Sequence, residues 1–230
     1  MIPEPALLQI RGLSKSFPVP DGGSRTIIDI PEFSLGPGEH LALRGESGSG
    51  KTTFLNLIAG ILSPDEGSIL VDGSDMAAMG EHRRDRLRAA SIGYIFQTFN
   101  LLQGYTCLEN VLLGMTFGGH ADRPRALALL ERVGLSSRLG HRPRQLSSGQ
   151  QQRVAVARAL AKHPKLVLAD EPTGNLDRRN SREALALIRE TCRESGAALL
   201  LVSHDPEVLG AFPNVRDFAE LNLSLKEASS

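Results

Sequence analysis

Residues 45–52 are the stretch that most constrains how this chain folds. They read Gly-Glu-Ser-Gly-Ser-Gly-Lys-Thr and fit the pattern Gly-x-x-x-x-Gly-Lys-Thr. A short apolar run at 40–43 precedes them, and residues 53–59 follow with apolar side chains at helical spacing. A strand, a glycine-rich loop and a helix in this order are typical of a phosphate-binding P-loop. The alternative is an ordinary Gly/Ser turn ahead of a helix.

Several residue types in this loop are suited to bind phosphate. Backbone N–H groups and the positive end of the helix dipole would meet at the loop, and glycine lets the backbone approach closely. Lys51 supplies a positive charge to the outer phosphates, and the Thr52 hydroxyl can complete the ligand shell of Mg²⁺. The residues expected to bind nucleotide here are Gly45, Ser47, Gly48, Gly50, Lys51, Thr52 and Thr53.

Composition limits the class of protein. The 230 residues are 41% apolar, which suits a globular core, and 26 Lys plus Arg balance 26 Asp plus Glu. This balance argues against a large nucleic-acid-binding field, so no nucleic-acid partner is expected. Cys107 and Cys192 lie far apart without metal-ligand spacing, which favours reduced thiols in a cytoplasmic protein. No signal-peptide pattern or membrane-length apolar run is present, so any membrane role is expected to depend on a partner.

The first third of the chain is predicted to be rich in β-structure. Short strands are expected at 7–10, 26–30, 41–43 and 69–71, with the P-loop strand threaded into this β lobe. The P-loop helix is expected to end near Leu62, because Ser63-Pro64-Asp65-Glu66-Gly67 is typical of a turn. The charged run 81–88 predicts a solvated helix rather than a nucleic-acid contact.

The remaining residues alternate between predicted strands and helices. A strand at 91–96 ends at Gln97, and an apolar segment through Met115 is predicted to be helical, followed by helices at 123–133 and 150–162. Buried strands are predicted at 165–169 and 197–202, with a helix at 182–193 between them. This alternation predicts an α/β fold with a parallel sheet and crossover helices.

Polar residues follow the predicted parallel strands where each strand ends. Gln97, Asp170, Glu171 and His204 occupy these positions, and ligands of parallel sheets bind at the carboxyl ends of the strands. Thr52, Asp170 and Gln97 offer the hard oxygen ligands that Mg²⁺ prefers. Glu171 is the candidate to orient or deprotonate an attacking water. His204 is the candidate to contact the terminal phosphate and to hold the water and the carboxylate in register.

A second candidate anion site opens the helix after residue 149. The stretch Leu146-Ser147-Ser148-Gly149-Gln150 offers backbone amides and a serine hydroxyl, although a plain helix N-cap is the alternative. Six motifs together resemble those of the ATP-binding cassette (ABC) ATPases. In chain order, residues 45–52, 97, 146–150, 166–171, 175–177 and 204 resemble the Walker A, Q-loop, signature, Walker B, D-loop and H-loop motifs. The resemblance covers nearly the whole chain.

The resemblance implies a specific architecture and assembly. The expected fold is a P-loop NTPase parallel-sheet core with an antiparallel β lobe and an inserted helical subdomain. The expected single domain divides into a core at 1–96 and 161–230 and a helical subdomain at 97–160. Two cassettes would form a head-to-tail homodimer around two ATP molecules with Mg²⁺, in which Ser147, Gly149 and Gln150 complete the partner's site. Phe17 matches the aromatic residue that stacks on adenine, with a buried strand residue as its alternative interpretation.

Within the family, residues 94–102, 108–111 and 171–177 resemble the subgroup of lipoprotein-releasing and macrolide-export ATPases, which also contains the cell-division ATPase. The resemblance implies an ATP-hydrolysing subunit on the inner face of the cell membrane that drives an integral-membrane permease. Ser148, where the family usually has Gly, and the absence of the usual Asp-Gly hairpin after His204 depart from the pattern. The alternatives are a soluble ABC ATPase without a permease and a P-loop kinase or GTPase, but an Asn-Lys-x-Asp motif is absent from the sequence.

The segment after Gln97 carries more apolar residues than one helical face buries. Leu108, Val111 and Leu112 have the spacing of a single face, which favours a place in the core. Phe99, Leu102 and Tyr105 precede that helix and are predicted to line a groove for a short helix of the permease.

Overall fold

The computed structural model describes residues 6–20, 22–116 and 120–227, which form two sheets and surrounding helices. The strands are β1 (Leu8–Pro18), β2 (Ser24–Leu35), β3 (His40–Arg44), β4 (Glu66–Val71), β5 (Ser74–Asp75), β6 (Ile92–Ile95), β7 (Leu166–Asp170), β8 (Ala198–Ser203) and β9 (Asn214–Asp217). The helices are α1 (Lys51–Ile58), α2 (Glu81–Ser91), α3 (Cys107–Thr116), α4 (Arg123–Arg132), α5 (Ser148–Ala159), α6 (Arg178–Ser195), α7 (Pro206–Leu209), α8 (Phe218–Leu221) and α9 (Ser224–Glu227).

The central sheet has the strand order β6-β7-β8-β3-β9, and its neighbouring strands are all parallel. Every residue of β7 and of β8 is buried, because helices or the second sheet cover both faces. The alternation of strands and helices thus confirms the predicted α/β fold with a parallel sheet. It brings the carboxyl ends of β3, β6, β7 and β8 to one edge.

The second sheet is antiparallel, with the order β2-β1-β4-β5. One hydrophobic cluster fills the space between this sheet, α1 and one face of the parallel sheet. The Phe54 ring on α1 lies at its centre, with centroids 5.5 Å from those of Phe33 and of Phe218. A second cluster joins α3, α4, α5 and α6 to the other face of the parallel sheet. Helix α1, which follows the P-loop, is therefore packed between the antiparallel and the parallel sheet.

The β-rich region differs from the sequence prediction. The P-loop strand β3 pairs in parallel with β8 and β9 and is not threaded into the antiparallel lobe. Strands β1 and β2 are also longer than predicted, because they pair with each other along most of their length. The antiparallel sheet is thus a separate layer above the parallel one.

Several predicted helix limits are corrected. The segment from 98 to 106 is not helical, since Phe99 and Asn100 have positive φ and the helix begins only at Cys107. Helix α1 ends at Ile58 instead of near Leu62, and α6 begins at Arg178 instead of 182. The earlier start of α6 follows from its N-cap, because the Asp177 side chain accepts a hydrogen bond from Asn180 N.

The C-terminal segment packs against the antiparallel sheet. After β9 and α8, the fully buried Asn222 side chain accepts from Asp29 N (2.8 Å) and donates to Ile27 O (2.8 Å). These bonds join the end of the described chain to β2.

Both cysteines are free and buried. Burial raises the pKa of Cys107, and it raises the pKa of Cys192 to about 12. Both thiols therefore stay protonated. Free cysteines agree with the expectation of reduced thiols. None of the helices in the described ranges combines the length and the apolar character needed to cross a membrane.

Candidate functional site

A cavity of about 440 Å³ lies where the P-loop meets the carboxyl ends of the parallel strands. Most of the residues that the sequence predicts for nucleotide and metal binding line this cavity. They are Phe17, Ser47, Gly48, Gly50, Lys51, Thr52, Thr53, Gln97, Asp170, Glu171 and His204. Gly45 lines an adjoining cavity on the other side of the loop. Residues from both sheets and from distant parts of the sequence therefore surround one space.

The P-loop turns sharply from β3 into α1. Gly50 is the N-cap of α1 and has φ 96°, a conformation that glycine adopts at little cost. A Cβ atom at Gly50 would lie 3.1 Å from Ile27 O, so β2 also packs closely against this position. The first turn of α1 consequently points its free backbone N–H groups toward the cavity.

Lys51 is almost fully buried within the loop. Its Nζ donates hydrogen bonds to Gly45 O (2.7 Å) and Glu46 O (2.6 Å) and lies 4.0 Å from Glu171 Oε1. Burial lowers the pKa of Lys51, while Glu171 and Asp170 act to raise it. The ammonium group is therefore held in a fixed position between the loop and the acidic strand end.

Asp170 ends β7 and offers oxygen atoms toward Thr52. Burial raises the pKa of the Asp170 carboxyl, whereas the Thr52 hydroxyl beside it lowers that pKa. Among the described residues, Asp170 Oδ1 has no hydrogen-bond partner although it is buried. A buried carboxylate oxygen without a donor is a suitable ligand for a hard cation, and the neighbouring hydroxyl adds a second oxygen. This donor set fits Mg²⁺.

Glu171 follows directly and is held in an uncommon conformation. Its φ is 43°, in the left-handed region that residues with a Cβ rarely adopt. Its backbone N donates to Val202 O (3.1 Å), and its carbonyl accepts from Gly174 N (3.0 Å). The chain thus turns away from β7 at this residue, and the Glu171 side chain points toward the end of β8.

Both carboxylate oxygens of Glu171 accept hydrogen bonds from the end of β8. Oε1 lies 3.1 Å from His204 N and 2.7 Å from His204 Nδ1, and Ser203 Oγ donates to Oε2 at 2.9 Å. The Glu171 side chain is 12% exposed, whereas that of His204 is 63% exposed. The carboxylate is therefore fixed, and the imidazole extends from it into solvent.

Gln97 and Phe17 also line the cavity, after β6 and near the end of β1. The carbonyl of Gln97 accepts from Asn175 Nδ2 at 2.7 Å, which ties the end of β6 to the segment after Glu171. Phe17 is near the end of β1, opposite Arg25 on β2, and is only partly buried. Lys15 Nζ lies 5.6 Å from the centroid of its ring. The ring is thus available at the cavity wall, in contrast to a fully buried strand residue.

The structure does not bring Ser147, Gly149 and Gln150 to this cavity. They lie at the N-terminus of α5, where Ser147 Oγ accepts from Gln150 N (3.3 Å) and Gln150 Oε1 accepts from Ser147 N (3.1 Å). This reciprocal pair is a capping box. Ser147 and Ser148 are exposed, and Gly149 is buried. The N-terminus of α5 therefore lies outside the P-loop cavity of its own chain.

Two residues at the cavity were not predicted from the sequence. Ile27 on β2 contributes to the cavity wall, and Ser203 at the end of β8 binds Glu171. Neither belongs to a motif. The position of Ser203 immediately before His204, at a predicted strand end, is the one signal in the sequence that would have indicated it.

Known proteins resemble this chain in sequence and in fold. The family model described as "ABC transporter" matches residues 28–174. The chain is 44% identical to the lipoprotein-releasing system ATP-binding protein LolD of Pseudomonas syringae pv. tomato, over 87% of this chain and 89% of that protein. It is 41% identical to the macrolide export ATP-binding/permease protein MacB 1/2 of Paracoccus denitrificans, over 93% of this chain and 32% of that protein. The second relative is thus about three times longer than the matched region.

Solved structures share the fold. A dimeric post-hydrolysis state of the ATP-binding cassette MJ0796, bound to ADP and Pi, superposes with a TM-score of 0.83. The two proteins are 32% identical, and the match covers 91% of this chain and 93% of that one. A second dimeric structure of MJ0796, titled as a bacterial ABC transporter cassette, has the same TM-score at 33% identity.

Proposed function

The chain belongs to the ABC transporter family and is an ATPase of that family, and from this premise we propose that it works as a head-to-tail homodimer that drives a partner permease. The task of the complex would be lipoprotein release or export, as in the relatives named LolD and MacB. The main support for the proposal is that the expected site residues lie in two separate places on one chain. P-loop and strand-end residues surround one cavity, whereas the N-terminus of α5 with Ser147 lies elsewhere.

Each residue at the cavity has a proposed role toward ATP. The P-loop amides and Lys51 bind the phosphates, and Phe17 packs against the adenine. Glu171 accepts the proton of the attacking water, and His204 contacts the terminal phosphate. The new P–O bond forms as the bond from the γ-phosphorus to the bridging oxygen breaks, and its electron pair leaves with ADP. The fixed position of Glu171 supports this assignment, because Ser203 and His204 bind its two carboxylate oxygens.

A magnesium ion would be held by Thr52, Asp170 and Gln97. The buried Asp170 Oδ1 without a hydrogen-bond partner among the described residues supports this assignment. When bound, the ion would neutralise charge on the β- and γ-phosphates. The protein contributes the fixed positions of the hydroxyl and carboxylate, which lie on the first turn of α1 and at the end of β7.

The homodimer would complete the two sites. Ser147, Gly149 and Gln150 of one copy would bind the phosphates of the nucleotide held by the P-loop of the other. Two features support this proposal: the exposed position of Ser147 at the N-terminus of a 12-residue helix, and the dimeric state of the MJ0796 structures. In the proposed chain organisation, residues 97–160 form a helical subdomain that carries this helix.

An apolar groove next to the nucleotide cavity supports a permease partner. The groove has a volume of about 630 Å³, and its apolar lining includes Ile61, Tyr94, Phe96, Leu102 and Leu113. Charged side chains of α2 and α5 also line it, among them Asp85, Arg86, Arg88 and Arg158. Ile61 and Leu102 are 47% and 48% exposed, and the rings of Tyr94 and Phe96 stack with centroids 4.1 Å apart. We assign this groove to a short cytoplasmic helix of the permease. Its attachment would hold the chain on the inner face of the membrane.

The predicted groove residues divide between the groove and the core. Leu102 lines the groove, and Tyr105 is 45% exposed but lies outside the groove's lining. Phe99 packs against the helical cluster, so its assignment to the groove is corrected. Leu108 and Val111 are buried in the same cluster, and Leu112 is partly buried against it. These three residues are therefore part of the core.

The groove assignment is tested by replacing Ile61 and Leu102 together with Ser. The expected result is unchanged basal ATP turnover and at least a ~10-fold lower yield of the permease that co-purifies from detergent-solubilised membranes. Val215→Ser is the matched control, because Val215 is similarly exposed (42%) on the edge strand β9. If the double variant retains the permease as well as the control does, the permease docks elsewhere. If the double variant and Val215→Ser both purify without any membrane protein, the alternative of a soluble ABC ATPase without a permease is favoured.

A further inference from the structure

Ser203 contacts Glu171 from a position that no motif covers. It is the last residue of β8 and is fully buried between β7 and β3. Its hydroxyl has one proton to donate and two lone pairs that accept. Asp205 N donates to Ser203 Oγ at 3.1 Å, and Oγ lies 2.9 Å from Glu171 Oε2. The amide of Asp205 occupies the accepting side of the hydroxyl, so the hydroxyl proton is directed at the carboxylate.

The two oxygens of Glu171 are not equivalent. Oε1 accepts from the backbone N of His204 and from its ring Nδ1, which must carry the proton because an ionised carboxylate only accepts. A carboxylate oxygen has about two lone-pair directions, so both on Oε1 are in use. Oε2 accepts from Ser203 alone among the described residues. One lone pair of Oε2 thus remains for a further donor.

From this arrangement we infer that Ser203 is a positioning residue that aims Glu171 Oε2 at the attacking water. This inference rests on the proposed function of Glu171 as the base. It specifies that Oε2 is the oxygen that takes the proton. In the step, the water oxygen bonds to the γ-phosphorus, the water proton moves to Oε2, and ADP leaves with the electron pair of the broken bond. Ser203 touches neither water nor nucleotide and acts only through the carboxylate.

The left-handed backbone of Glu171 explains why such a contact is needed. At φ 43° the residue is in a sparsely populated conformation, and such conformations persist only where neighbouring contacts determine them. The His204 side chain is largely exposed, whereas Ser203 is fully buried within the sheet. The buried Ser203 hydroxyl therefore fixes the position of the Glu171 carboxylate.

The test compares Ser203→Ala with Ser203→Thr. Loss of a hydrogen bond to a charged group is expected to lower kcat about 10-fold, with the KM for ATP and ATP-dependent dimerisation unchanged. Ser203→Thr retains the hydroxyl and is expected to restore most of the turnover. Ser195→Ala is the matched control, because Ser195 Oγ binds carbonyls near the end of α6 and not the site. Its turnover should equal that of the wild type.

Other outcomes separate this inference from the proposed function. If Ser203→Ala keeps wild-type kcat while Glu171→Gln is inactive, the inference is overturned and the base assignment stands. If Glu171→Gln is itself active, Glu171 is not the base, and the inference about Ser203 is overturned with that assignment. Where Ser203→Ala does not fold, Ser203→Cys decides, since the thiol has a similar shape but is a weak donor. A reduced kcat in that variant supports the inference, and an unchanged kcat overturns it.

Discussion

Glu171, the proposed base, is constrained in both its backbone and its side chain. Its φ is positive, and Ser203 and His204 supply hydrogen bonds to its two carboxylate oxygens. Lys51 Nζ lies 4.0 Å away and opposes the charge. A carboxylate fixed in this manner needs little reorganisation before it accepts a proton.

Replacement of Glu171 by Gln is expected to preserve ATP binding and ATP-dependent dimerisation while turnover falls by ~10²–10⁴. The amide preserves the shape of the side chain but does not act as a base. Hydrolysis and nucleotide affinity are measured on the same preparation, with Glu66→Gln on the exposed face of β4 as the control. A variant that retains more than about a tenth of wild-type turnover would exclude Glu171 as the base.

Residues at strand ends were predictable because the parallel sheet aligns them. Asp170, Glu171, Gln97 and His204 each follow an apolar run, and the carboxyl ends of parallel strands meet at one edge. Ser203 was missed because a serine at a strand end is common and carries no spacing signal. Its role depends on the turn of the backbone at Glu171, which is a property of the folded chain.

At the scale of elements, helices α5 and α6 are packed closely at their N-termini. A Cβ atom at Gly149 would lie 2.7 Å from Asn180 Oδ1, so the side chain of Asn180 occupies the space beside this glycine. Farther along, Arg153 Nη2 pairs with Glu183 Oε2 at 2.9 Å. The position of the Ser147 capping box is therefore set by α6, the helix that follows Asp177.

This packing predicts that Gly149→Ala lowers turnover and that Asn180→Ala in the same chain partly restores it. The added methyl group of Gly149→Ala would displace α5 relative to α6, and removal of the Asn180 amide makes room for it. Steady-state turnover of the two single variants and the double variant is the measurement. No recovery in the double variant would show that Gly149 is required for close approach to phosphate rather than for helix packing.

The loop between β6 and α3 shows where element prediction failed. Its apolar composition indicated a helix from 98 onward, but Phe99 and Asn100 adopt positive φ. Arg158 on α5 holds this turn by donating to Phe99 O (2.7 Å) and Asn100 O (2.5 Å). An arginine 58 positions away in the sequence determines this conformation, so no local pattern reveals it.

At the scale of the whole molecule, the parallel sheet separates two packed layers and places the nucleotide cavity at one edge. The sequence predicted the α/β class and the parallel sheet, because strands and helices alternate and the apolar runs 165–169 and 197–202 are long enough only for buried strands. It placed β3 in the wrong sheet, because a run of three apolar residues, Leu41–Leu43, does not specify which strands pair with it. Strand pairing depends on contacts between residues far apart in the sequence.

In the proposed head-to-tail dimer, each hydrolytic site needs two copies of the chain. The cavity holds the P-loop and Glu171 of one copy, and the Ser147 capping box of that copy lies outside it. Ser147→Ala should therefore reduce turnover far more than nucleotide affinity, and Lys51→Ala should reduce both. In a mixed dimer of the two variants, both lesions fall on the same composite site, and the other site is intact.

The most direct measurement is ATP turnover of an equal mixture of Ser147→Ala and Lys51→Ala chains. Random pairing makes about half of the dimers mixed, so about a quarter of all sites would be intact. Turnover of the mixture is expected to rise well above that of either variant alone and to approach about a quarter of the wild-type value. Turnover no higher than the mean of the two separate variants would contradict it, because each site would then be formed within one chain.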